Sequence, residues 1–174
     1  MSLALEDQLV SYIHAHAEDG ILLDTNVLLL FLVKQIKPDL IGGKRLEAYG
    51  QQDAELLVAY VKNFSKILTT PHVLAETSNF IRQIVKGKMQ SAFLTLLHPL
   101  FCLDEGALHE CTVQGQDIEA RFFVRLGLTD SGLVACSKRG HLILTSDLDL
   151  HIAAASSGAH SINFTHMREA AGLL

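Results

Sequence analysis

Apolar residues recur at every fourth position through Leu5, Leu9, Ile13 and Ala17, which gives residues 5–17 one hydrophobic face and predicts a helix ending near Gly20. The pattern then changes. Ile21, Leu22 and Leu23 are contiguous and stop at the polar Asp24-Thr25-Asn26, the mark of a short strand covered on both faces in a parallel sheet. Helical spacing returns over residues 27–34, and residues 38–52, with Gly42, Gly43 and Gly50, have the composition of a surface loop. A helix over 53–64 and a strand over 67–69 follow. Thr70 and Pro71 then suit the cap and first position of a helix running to residue 85.

Beyond it the pattern predicts a helix over 89–97 stopped by His98-Pro99, a short strand over 101–103 and a helix over 117–126 ended by Gly127. Thr129 can cap a further helix through Ser137. The strands 141–145 and 161–164 come next, and Thr165 caps a short C-terminal helix. Strands and helices alternating at these lengths imply an α/β fold, a three-layer α/β/α domain around a mostly parallel sheet.

A chain of 174 residues with 49% hydrophobic and 19% charged content fits one globular domain over residues 1–174. Cys102, Cys111 and Cys136 are odd in number and lack CxxC spacing, so neither a disulfide framework nor a zinc knuckle is suggested. Glu6 and Asp7 stand where a signal peptide carries positive charge, and the longest apolar run, residues 27–33, is too short to cross a bilayer. The expectation is a cytoplasmic protein with no membrane partner. A net charge of −5 argues against electrostatic coating of nucleic acid. Local cations at Lys44-Arg45, Arg82 with Lys86, and Lys138-Arg139 can still hold a phosphate backbone, although solvated surface is the commoner role of such pairs.

The chemistry concentrates in acids at element ends. Asp24 closes one apolar run and Asp147 closes another, Leu142-Ile143-Leu144-Thr145-Ser146-Asp147, so both belong to the carboxyl edge of a parallel sheet, where ligands bind. A carboxylate placed there is costly unless it is paired or metal-bound. Asp130 falls in the first turn of a helix, a position the helix dipole favours by itself. Glu76 lies on a narrow polar stripe between Leu74-Ala75 and Phe80-Ile81, where ordinary solvent exposure is the competing role.

Four segments, in order, resemble the PIN-domain ribonuclease family: Ile21-Leu22-Leu23-Asp24-Thr25-Asn26-Val27, Thr70-Pro71-His72-Val73-Leu74-Ala75-Glu76, Leu128-Thr129-Asp130-Ser131-Gly132-Leu133-Val134-Ala135, and Ile143-Leu144-Thr145-Ser146-Asp147-Leu148-Asp149-Leu150. Each is weakly specific alone; together they span most of the chain. The resemblance implies a Mg²⁺- or Mn²⁺-dependent phosphodiesterase acting on single-stranded RNA through Asp24, Glu76, Asp130 and Asp147. Hard divalent ions do select oxygen ligands, and they acidify water for attack on phosphorus. In that setting Asp24 and Asp147 are direct ligands, Asp130 is a ligand of the same or a second ion, and Glu76 is a ligand or orients water. Asn26 and Thr145 are expected to orient the carboxylates by hydrogen bonds. Asp149 competes with Asp147 for the fourth position, and the motif favours Asp147.

The family commonly forms homodimers, and the helices over 53–64 and 89–97 can serve either as an interface or as core. A protein inhibitor of the antitoxin kind is a further implied partner. Residues 38–52 and 87–116, however, make this chain longer than the compact toxins of toxin–antitoxin pairs, which argues against a toxin role. The rival functions are a catalytically silent PIN-like module that binds RNA or protein, and a phosphatase-like hydrolase. The latter is weakened because Asn26 stands where a second acid is expected. His72 and Glu76 share a helical face without an HExxH pattern, and His14 and His16 read as surface histidines.

Overall fold

Every residue of Ile21–Leu23 (β1), Ile67–Thr69 (β2), Leu142–Thr145 (β4) and Ser161–Asn163 (β5) is buried, so helices must cover the sheet on both faces. The exception is Leu108–Glu110 (β3), where only Leu108 is buried. It is an edge strand. In the computed structural model, which describes residues 3–102 and 108–174, the five strands are all parallel and ordered β3-β2-β1-β4-β5. The fold is therefore α/β with helices on both sides of one sheet. β1 and β4 run side by side in register, with Ile21 opposite Leu142 and Leu23 opposite Leu144.

The helices are Leu3–His16 (α1), Thr25–Ile36 (α2), Gln51–Val61 (α3), Pro71–Ile84 (α4), Gly87–Cys102 (α5), Ala120–Ser137 (α6), Leu148–Ser156 (α7) and Phe164–Ala170 (α8). α2 is apolar nearly all round, with Val27, Leu28, Leu29, Leu30, Leu32 and Val33 buried, so it lies inside the domain. Among the described residues no helix is long and apolar enough to cross a membrane. The apolar faces of α3 (Ala54, Leu57, Tyr60, Val61) and α5 (Phe93, Leu97) are buried within this one chain and serve as core.

Gly20 joins α1 to β1 at φ 89°, and a Cβ there would come within 2.8 Å of the Lys66 carbonyl oxygen, so only glycine allows β1 to enter beside β2. Gly127 interrupts α6 with φ 79° and ψ −175°, separating the helical stretches expected before and after it.

Several expectations change. α5 continues through Pro99 to Cys102, because His98 and Pro99 face solvent in the last turn while Phe93 and Leu97 hold the helix against the core. Residues 101 and 102 thus end a helix, and residue 103, the third of the expected strand, lies outside the described residues. α6 starts at Ala120, after a 3-10 turn over Gly115–Asp117. α7 has no counterpart in the expected pattern. α8 is capped by Asn163, whose Oδ1 accepts from Thr165 N–H at 2.8 Å, and Thr165 is already helical. His16 is buried and hydrogen-bonded, whereas His14 is exposed.

Candidate active site

The strand order reverses between β1 and β4: the chain builds outward from β1 through β2 to β3, then returns to add β4 on the other side. Such a switch point opens a crevice beyond the carboxyl ends of the two strands. Asp24 is the first residue after β1, and Asp147 is the second after β4.

Asp24 is 3% exposed, and three donors satisfy it. Its Oδ1 accepts from Val27 N–H at 2.7 Å and so caps α2, an arrangement generally worth about 1 kcal/mol. Its Oδ2 accepts from Thr145 Oγ1 at 2.5 Å and Ser146 N–H at 2.9 Å, which ties the exit of β1 to the exit of β4. Burial still pushes the Asp24 carboxyl above its ordinary pKa against the pull of these donors, and the charge of Asp147 adds to the rise.

Thr145 links two of the acids. Its hydroxyl donates to Asp24 and accepts from Asp147 N–H at 2.9 Å. Asp147 caps α7, with Oδ1 accepting from Asp149 N–H at 2.7 Å and Leu150 N–H at 3.1 Å. The helix missed in the sequence pattern is therefore started by a residue of the site. Glu76, on α4, takes a hydrogen bond on Oε2 from Thr25 Oγ1 at 2.7 Å. Asp130 is half-buried in the second stretch of α6, which begins where Ser131 Oγ donates to the Gly127 carbonyl at 2.5 Å. Burial, then the charges of Asp24, Asp147 and Glu76, push Asp130 up to about 7. Among the described residues no hydrogen bond offsets that rise.

These four acids line one cavity of about 200 Å³ with Thr25, Asn26, Arg45 and Phe80. Of the basic pairs noted in the sequence, only Arg45 reaches it; Lys138 pairs with Glu119, and Arg139 with Asp117. Asn26 lines the cavity and is exposed, and among the described residues its amide makes no hydrogen bond to an acid of the site. The Thr145 hydroxyl orients Asp24, as expected, and a second hydroxyl, that of Thr25, holds Glu76; sequence reasoning missed Thr25, although its place directly after Asp24 was a signal for it. Asp149 is exposed on α7 and paired with Arg125, so it supports the site only through its backbone N–H to Asp147.

The donor set fits a hard divalent cation. All donors are oxygens, and the repulsion that Asp24, Asp147 and Glu76 add to burial at Asp130 is what a cation relieves. Among the described residues no three His, Cys, Asp or Glu side chains already stand in a chelating arrangement. An ion here would be held by one or two carboxylates and several waters, the habit of Mg²⁺.

The chain was compared with protein-family models, curated proteins and solved structures, and none matches it.

Proposed function

We propose that this protein is a divalent-metal-dependent ribonuclease of the PIN type, hydrolysing phosphodiester bonds of single-stranded RNA. The observation that carries the reading is the convergence of Asp24, Glu76, Asp130 and Asp147 on one cavity at the switch point of the sheet. Asp24 and Asp147 are the residues best placed to hold Mg²⁺ or Mn²⁺, since they flank the crevice directly, with Asp130 and Glu76 completing the set. Lewis-acid activation of water and stabilisation of charge on the phosphate are the chemistry such an ion supplies when bound.

The chain's own groups divide the remaining work. Thr145 fixes the rotamer of Asp24 and, through the Asp147 N–H, the start of α7. Thr25 anchors Oε2 of Glu76, which keeps Oε1 to orient an attacking water or accept its proton. Asp130, near 7, still carries a proton close to neutral pH that it can release when positive charge arrives.

Purified protein supplied with Mn²⁺ should cleave single-stranded RNA. Asp24→Asn should reduce the rate by about a thousandfold or more, equivalent to about 4 kcal/mol of lost transition-state stabilisation. Equal cleavage by the variant, or none by the parent protein, would contradict the assignment.

A further inference from the structure

Arg45 adopts φ 71°, the one non-glycine at positive φ among the described residues. It sits in a tight turn in which Gly42 N–H donates to the Leu46 carbonyl at 3.2 Å and Leu46 N–H donates to the Gly43 carbonyl at 2.8 Å, with Leu46 fully buried. Glycine is the residue such a backbone favours, and here it is replaced by a long cation. The side chain is then held in place twice. Its guanidinium carbon lies 4.2 Å from the centre of the Phe80 ring, and its Nε and Nη2 donate to Gln83 Oε1 at 3.0 and 2.7 Å. Both partners lie on α4, one and two turns beyond Glu76.

Arg45 lines the cavity of the four acids, yet a ring and a neutral amide hold it. Among the described residues it forms no ion pair with a carboxylate. Its charge and remaining N–H donors are therefore left for a ligand, and a guanidinium fork matches a phosphate. A polyanion approaching this cavity meets repulsion from the acids and attraction from Arg45.

We propose that Arg45 binds a phosphate of single-stranded RNA flanking the bond to be cleaved, and so selects which phosphodiester lies over the carboxylates. The identity of the ligand rests on the ribonuclease reading. The backbone strain has a purpose in this arrangement: it aims the side chain along α4 from a loop whose neighbouring Leu46 and Tyr49 are buried in the core.

The test is binding of a fluorescent single-stranded oligouridylate to the full chain in EDTA, where no cleavage occurs, over about 50 to 200 mM salt. Arg45→Gly, which suits the backbone of the turn and keeps the fold, should bind about tenfold more weakly, as for a lost charged hydrogen bond. The slope of log K against log salt should become shallower by about 0.7, the signature of one released phosphate contact on a single strand. Arg45→Lys should restore that slope and only part of the affinity, because it keeps the charge and loses the fork. With Mn²⁺ present, Arg45→Gly should raise KM more than it lowers kcat. An unchanged slope and affinity in Arg45→Gly overturns the proposal, as does absence of binding by the parent protein. Slope loss together with no cleavage by the parent keeps the contact between Arg45 and a phosphate, while the ribonuclease reading and the selection of a scissile bond both fail.

Discussion

The carboxyl and amino edges of the sheet both gather polar side chains from several elements, and they settle the resulting electrostatics in opposite ways. At the amino edge, His16 Nδ1 lies 2.8 Å from the Gly140 carbonyl and therefore carries the hydrogen, which leaves Nε2 to accept from His160 Nδ1 at 2.7 Å. Tyr12 stacks on His160 with ring centres 4.7 Å apart, and His141 Nδ1 is 3.1 Å from the Asp19 carbonyl. These rings thus satisfy one another and pin α1 to the sheet. At the carboxyl edge, four acids converge, and although Asp24 is fully supplied with donors, Asp130 is not. A satisfied cluster reads as structure, and one left with surplus charge reads as a place for a counter-charge.

The two edges also respond to pH with opposite signs. Asp130 rises from its ordinary 3.8 to about 7, so the native state binds the extra proton and this group's contribution to stability falls as pH climbs through that window. His16 is held below its ordinary 6.5, first by burial and then by the neighbouring His160 and His141 against the pull of the Gly140 carbonyl. Its contribution is present above 6.5 and is lost as pH drops below it.

After the loss of Asp24 itself, breaking the link between the acids should have the largest effect. Thr145→Val removes the hydroxyl shared by Asp24 and Asp147 and should slow RNA cleavage by about 10- to 100-fold, the usual result of losing a group that orients a metal ligand. A rate within twofold of the parent's would show that the hydroxyl does not set the geometry.

Asp130→Asn removes the surplus charge. In EDTA above pH 7 it should melt higher than the parent, by about 2–4 °C for each kcal/mol of repulsion relieved, and the decline in parental Tm between pH 4 and pH 7 should flatten. A lower Tm across the whole range would mean that the carboxylate is stabilising where it stands. The smallest effect belongs to the amino edge. His160→Ala should cost about 1 kcal/mol of stability at neutral pH, less below pH 6.5, and leave RNA cleavage unchanged.

Legibility in the sequence follows the same division. β1 and β4 were plain because contiguous Ile and Leu bounded by polar turns allow few other readings, and their ends placed Asp24 and Asp147 on one edge. α7 was hidden because Leu148-Asp149-Leu150-His151-Ile152 alternates like a strand, and its start depends on a cap, Asp147, that had a second candidate role. Pro99 suggested a stop that the packing of Phe93 and Leu97 overrides. The contacts of Thr25 with Glu76, of Arg45 with Phe80 and Gln83, and of His16 with His160 join residues between 35 and 144 positions apart, and no local pattern carries them.

Whether the acids share a cation is most directly tested by calorimetric titration with Mn²⁺ in buffers of differing ionisation enthalpy. Binding at about pH 6 should release close to one proton, falling towards none above about pH 8, as expected for an ion displacing the proton of a carboxyl near 7. Asp24→Asn should weaken the binding, and Asp130→Asn should abolish the proton release. No binding heat at millimolar Mn²⁺ would contradict a shared cation in this cavity, and the same proton count in parent and Asp130→Asn would contradict the part given to Asp130 in holding it.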